Sequence, residues 1–139
     1  MIHVERILYP TDFSSYSNQA YFHAVALAKA HGAALTIMYV IDPGKGGPTP
    51  DGVDARSYWG AQLEQIRPID ESIPVIHVLA EGDPAEQIVG RARADRMSLV
   101  VMGTHGRTGL ERLLMGSVAE RVLREAPCSV LIVKIPRAR

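Results

Sequence analysis

The sequence predicts an α/β protein: one doubly wound, parallel, five-stranded sheet, for which 3-2-1-4-5 is inferred as an order with the required reversal. Three observations lead there. Short apolar runs alternate with segments of helical period, giving βαβαβαβαβ along 139 residues. The runs are β-branched and apolar without polar alternation, as in strands covered on both faces. Right-handed crossovers then put helices on both sides only if the strand order reverses somewhere in the sheet.

The elements follow in order. Ile7-Leu8-Tyr9 is a buried strand stopped by Pro10-Thr11-Asp12. Ser14 and Ser15 can cap the next segment, where Ala20, Ala24, Leu27 and Ala28 recur at helical spacing, and Gly32 suits a left-handed closing position. Leu35 to Ile41 is the second strand. Residues 43–52 are seven-tenths Pro or Gly and read as a flexible loop. Trp59, Leu63 and Ile66 mark a short amphipathic helix ended by Pro68. Val75 to Leu79 is the third strand. Asp83-Pro84-Ala85-Glu86 is a helix start with Asp at the N-cap, Pro at N1 and Glu three residues on. Ser98 to Met102 is the fourth strand and runs into Gly103. Ser117-Val118-Ala119-Glu120 has the form of a capping box with Ser117 as the cap. Val130 to Val133 is the fifth strand. The whole of 1–139 reads as a single domain.

Composition removes several classes of function. With 47% hydrophobic residues and 15 basic against 15 acidic side chains, the chain is neither a disordered tail nor a generally basic nucleic-acid binder. No run approaches the ~18 apolar residues of a membrane helix, and the first residues carry no signal-peptide pattern, so a soluble cytoplasmic protein is expected. One cysteine, Cys128, excludes an internal disulfide framework. The neutral total conceals an imbalance. Residues 1–84 hold 5 basic and 10 acidic side chains, and residues 85–139 hold 10 and 5. An anionic ligand is therefore better matched to the C-terminal part.

The stretch Gly103-Thr104-His105-Gly106-Arg107-Thr108-Gly109, followed after Met115 by Gly116-Ser117, runs from a strand end to a helix start. Glycines admit close backbone approach, and a helix N-terminus offers oriented N–H donors with partial positive charge. These are the parts of a phosphate site, although turn formation and helix capping use the same groups. There is no Gly-Lys-Ser or Gly-Lys-Thr of a Walker A loop, and the first strand ends without Gly-x-Gly-x-x-Gly. His105 could donate to a phosphate, act as acid or base, or order the loop. Arg107 could grip phosphate oxygens bidentately or lie on the surface. Asp12 is a lone carboxylate, better suited to a ribose contact or a turn cap than to holding a metal. His3, His23, His31 and His77 lack metal-ligand spacing. Arg121 and Arg124 read as a solvated helix face.

Ile7-Leu8-Tyr9-Pro10-Thr11-Asp12-Phe13-Ser14, the pattern Gly103-x2-Gly106-x9-Gly116-Ser117, and Ala126-Pro127-Cys128-Ser129-Val130-Leu131-Ile132-Val133 resemble the universal stress protein family nearly end to end. The two-part glycine pattern is similar to that of the family's ATP-binding branch. The resemblance implies a Rossmann-like fold of the adenine nucleotide alpha hydrolase-like type. It implies ATP as ligand, with Mg2+ or Mn2+ held by the phosphates. Pro10, Thr11 and Asp12 would then face adenosine, and the backbone of Val40 the adenine edge. Met102, Gly103 and Gly106, with His105 and Arg107 in the same loop, would lie over ribose and phosphates. Gly116, Ser117 and Val118 would meet the triphosphate. The implied assembly is a homodimer through the last strand, residues 129–135, an apolar edge that needs covering. The expected function is a nucleotide-dependent regulator in stress response with little or no ATP hydrolysis. A slow ATP hydrolase or phosphate-transfer enzyme, and a dimeric interaction protein independent of nucleotide, are the competing readings.

Overall fold

The expected strand order is the one observed. In the computed structural model, which describes residues 3–44, 49–50, 52–104 and 115–134, β1 (Arg6–Thr11), β2 (Ala34–Ile41), β3 (Val75–Glu81), β4 (Leu99–Gly103) and β5 (Ser129–Val133) form one sheet ordered β3-β2-β1-β4-β5. All four pairings are parallel. The helices are α1 (Ser15–His31), α2 (Ala55–Glu64), α3 (Pro84–Ala94) and α4 (Ser117–Glu125).

Alternate strand residues feed two cores. Ile7, Tyr9, Leu35, Ile37, Tyr39 and Val101 face α1 and α2. Leu8, Met38, Val40, Val100 and Met102 face α3 and α4. Burying these β-branched and aliphatic chains on both faces supplies the main drive for folding. Helix α1 presents Ser17, Ala20, Ala24 and Ala28 to the sheet as its buried face. So narrow a stripe lets the helix axis approach closely. Gly32 closes α1 at φ 64° with its N–H on the Ala28 carbonyl, as its position predicts.

Helix α2 is shorter than the periodicity suggests. It ends at Glu64, so Ile66 lies outside it, yet Ile66 still packs against the apolar cluster. The released Ile66 carbonyl accepts from His77 Nε2 on β3 at 2.8 Å, a bond that stands where the next helical turn would be. Much of the Pro/Gly loop expected at 43–52, namely residues 45–48 and 51, lies outside the described residues. Among the described residues, no helix is long and apolar enough to cross a membrane.

Candidate functional site

Strands β1 and β4 are neighbours, and the connections leave them in opposite directions, so the topology reverses between them. Open α/β sheets bind ligands beyond the strand C-termini at such a point. Two strand ends and one helix start meet there.

The first is the turn after β1. Thr11 is buried, and its Oγ1 accepts the Phe13 N–H at 3.0 Å. Asp12 Oδ1 accepts the Ser14 N–H at 3.0 Å and the Ser17 hydroxyl at 2.6 Å. Ser14 is the N-cap of α1, and its Oγ accepts the Ser17 N–H. Asp12 is thus oriented by the first turn of α1 and does act as a turn cap. Beneath it, the Tyr9 hydroxyl donates to the Ser17 carbonyl at 2.7 Å. Burial pushes the Tyr9 phenol well above its ordinary range, so it remains a neutral donor.

The second is the end of β4. A Cβ on Gly103 would lie 2.6 Å from the Tyr16 carbonyl oxygen and 2.8 Å from its carbon. Only glycine lets β4 pass under the first turn of α1 at this distance. The glycine therefore brings the β4 end and the Asp12 turn together, a packing duty that the loop reading did not include.

The third is the start of α4, joined to β4 by a backbone clasp. The Thr104 N–H donates to the Val133 carbonyl, and the Gly116 N–H donates to the Thr104 carbonyl. Thr104 itself is buried. Ser117 is not the cap of α4: Gly116 is the N-cap, and Ser117 is the first helical residue. The clasp fixes Gly116 half outside the helix, which moves the boundary one residue earlier than the capping-box pattern predicts. Gly116 has no side chain to offer the first-turn N–H groups, so this end of α4 keeps the donors of an anion site.

Among the sequence-derived candidates, the structure gathers Pro10, Thr11, Asp12, Gly103, Gly116 and Ser117 around these three features. Val40 and Met102 have their side chains in the core beside α3 and α4, so only their backbone faces the strand ends. Val118 follows Ser117 in the first turn of α4. His105, Gly106 and Arg107 lie outside the described residues. Ser17, Tyr16 and Thr104 were not singled out by sequence. Ser17 could have been found from Ser14-x-x-Ser17 after an aspartate, while the Tyr16 and Thr104 contacts are long-range and leave no local signal.

Two further side chains have definite places. Arg121 lies on a solvated face, as expected, and there reaches Asp83 at 2.9 Å, Glu125 at 2.9 Å and Glu86 at 3.6 Å, linking α4 to the start of α3. Hydrogen bonding to Glu125, and the charges of Glu125, Asp83 and Glu86, raise its already high pKa. Cys128 is half-buried, and desolvation pushes its thiol up, away from thiolate reactivity.

A model of the universal stress protein family matches residues 3–134. The chain belongs to that family. Universal stress protein MJ0531 of Methanocaldococcus jannaschii is 40% identical over 142 residues, covering 96% of this chain and 84% of the relative. Among solved structures, a universal stress protein in complex with cAMP superposes with a TM-score of 0.72 at 24% identity, covering 95% of this chain and 98% of that one. The universal stress protein from Archaeoglobus fulgidus in complex with dAMP gives a TM-score of 0.62 at 24% identity, covering 96% and 100%. At that identity the likeness to these two universal stress proteins is one of fold.

Proposed function

We propose that this universal stress protein binds ATP at the β1/β4 strand ends and works as a nucleotide-dependent regulator in stress response, with little or no hydrolysis. The observation that carries the reading is the Thr104–Gly116 clasp. It sets a glycine-capped helix start beside the Gly103 strand end and the Asp12 turn. Oriented N–H donors suit phosphates, and a fixed carboxylate suits ribose hydroxyls. Family membership and the adenine nucleotides carried by two neighbours of the same fold support it.

In this reading Pro10, Thr11, Asp12 and the Val40 backbone meet the nucleoside. Met102, Gly103, His105, Gly106 and Arg107 lie along ribose and phosphates, and Gly116, Ser117 and Val118 meet the triphosphate. The described donor set is amides, hydroxyls and one carboxylate, which fits a cation held mainly by phosphates and water. Mg2+ or Mn2+ would supply charge neutralisation there.

The same reading includes a homodimer through residues 129–135 in the cytoplasm. Strand β5 is an edge strand whose Val130, Leu131 and Ile132 are half-buried. Pairing with its own copy about a two-fold axis would cover these side chains and satisfy the outer backbone groups. Sedimentation should then give a dimer at micromolar concentration, and Leu131→Lys should weaken it; a monomeric parent overturns this part.

The decisive test of the site is calorimetry with ATP and GTP in the presence of Mg2+. Tighter binding of ATP is expected, and equal affinities would remove the adenine assignment. ATP at ~100 times its dissociation constant should add about 2.7 kcal/mol of stability. A released-phosphate assay should detect slow turnover at most, and fast turnover would move the protein into the enzyme class.

A further inference from the structure

Among the described residues, two that are not glycine have left-handed backbone: Arg96 at φ 51° and Phe13 at φ 65°. Arg96 has a local cause. It follows the C-cap of α3, where the Arg96 N–H meets the Arg93 carbonyl and the Met97 N–H meets the Ala92 carbonyl, the usual closure of a helix end. Phe13 closes no helix. It stands between Asp12 and the N-cap Ser14, and a bulky aromatic side chain is disfavoured at such φ.

Strain of this kind persists only where surrounding contacts over-determine it, and it concentrates at functional sites. Here the contacts are aromatic and distant in sequence. The Phe13 ring stacks on Trp59 with centroids 5.2 Å apart and planes at 26°. It tilts against Tyr39 at 4.9 Å, and Tyr39 meets Trp59 at 5.1 Å. Trp59 lies on α2 and Tyr39 on β2. On the other side of the same residue, Asp12 is bonded back to Ser14 and Ser17. The left-handed step thus joins the aromatic cluster under α2 to the carboxylate at the β1 tip.

We propose that Phe13 is a positioning residue for the adenine-nucleotide site. Its ring, held by Trp59 and Tyr39, fixes the direction of Asp12 and couples occupancy of the site to the placement of α2. This rests on the nucleotide reading above. A ring that only filled the core would leave both nucleotide affinity and the response of α2 independent of residue 13.

The chain has a single tryptophan, Trp59, so its emission reads the stack directly. ATP binding, followed by calorimetry, and Trp59 emission, excited away from the nucleotide band, are compared in the parent, Phe13→Gly and Phe13→Tyr. Glycine adopts the left-handed backbone without strain, so Phe13→Gly leaves the turn accessible while it removes the ring and the hold that the ring exerts on the backbone. It should bind ATP about tenfold more weakly, and its tryptophan emission should not change at saturating nucleotide. Phe13→Tyr keeps the ring and should recover both the parent affinity and the ATP-dependent emission change of the parent. If Phe13→Gly binds as tightly as the parent, or if the parent binds ATP with no change in Trp59 emission, the positioning role fails while the site stands. If the parent binds no adenine nucleotide, the site reading fails and this inference with it.

Discussion

Two turns at the same end of the sheet solve one problem in opposite ways. Both carry the chain from a strand tip into a helix, after β3 and after β1. The β3–α3 turn uses residues suited to their positions: Gly82 at φ 134°, Asp83 as N-cap accepting the Glu86 N–H at 3.0 Å, and Pro84 at N1. The β1–α1 turn places phenylalanine at φ 65° and relies on Trp59 and Tyr39 to hold it. The first turn is stable because local preferences agree. The second depends on contacts from Tyr39 and Trp59, far along the chain from Phe13. Local and global preferences part company where a protein has a use for the conflict, and this turn carries Asp12.

The largest way to break the comparison is Gly103→Val. The added side chain would strike the Tyr16 carbonyl and displace the first turn of α1, at a cost of roughly 1–3 kcal/mol. Hydrogen exchange should show the loss at residues 15–18 while the start of α3 keeps its protection. Equal loss at both turns would contradict the separation. Gly82→Ala tests the other turn. At φ 134° any Cβ is strained, and Gln87 stands 3.1 Å away, so a melting experiment should show about 1–2 kcal/mol of destabilisation. Nucleotide binding should be unchanged, since this turn lies outside the proposed site.

Asp83→Ala should cost about 1 kcal/mol through the lost cap, seen as a lower denaturant midpoint. The loss of the Arg121 partner adds little at so exposed a position. Ser117→Ala should have the smallest effect on stability, within about 0.5 kcal/mol, because Gly116 and not Ser117 caps α4. A loss as large as that of Asp83→Ala would return Ser117 to the capping role. Its effect on ATP affinity should exceed its effect on melting, which separates a ligand contact from a structural one.

These cases also mark how far the sequence carries. Gly32, the Asp83-Pro84-Glu86 start and the reversal of strand order within the sheet were legible because each depends on local chemistry or on general topological rules. The Asp12 turn was legible as a turn. The conformation of Phe13 was not, because nothing adjacent to it favours positive φ. Ser117 was misread as a cap because serine and glycine both serve at that position, and only the hydrogen bond from Gly116 to Thr104 decides between them. The ion pairs of Arg121 with Asp83 and Glu86 were not legible because these partners lie at the start of another helix. The end of α2 depends on His77, which comes from the next strand.

The alanine stripe of α1 has a consequence for genetics. Ala20, Ala24 and Ala28 are the fully buried stripe of the helix against the sheet, flanked by Tyr21, Val25 and Leu27, so a larger side chain in the stripe pushes the helix off the sheet. Ser14 and Ser17, which orient Asp12, ride on the end of that helix. Ala28 stands eleven residues beyond Ser17, roughly 16 Å along the axis. A substitution there would score as a defect in the β1 tip despite touching nothing at it. Screens for suppressors of an enlarged Ala28 should accordingly return smaller side chains among the sheet residues facing α1.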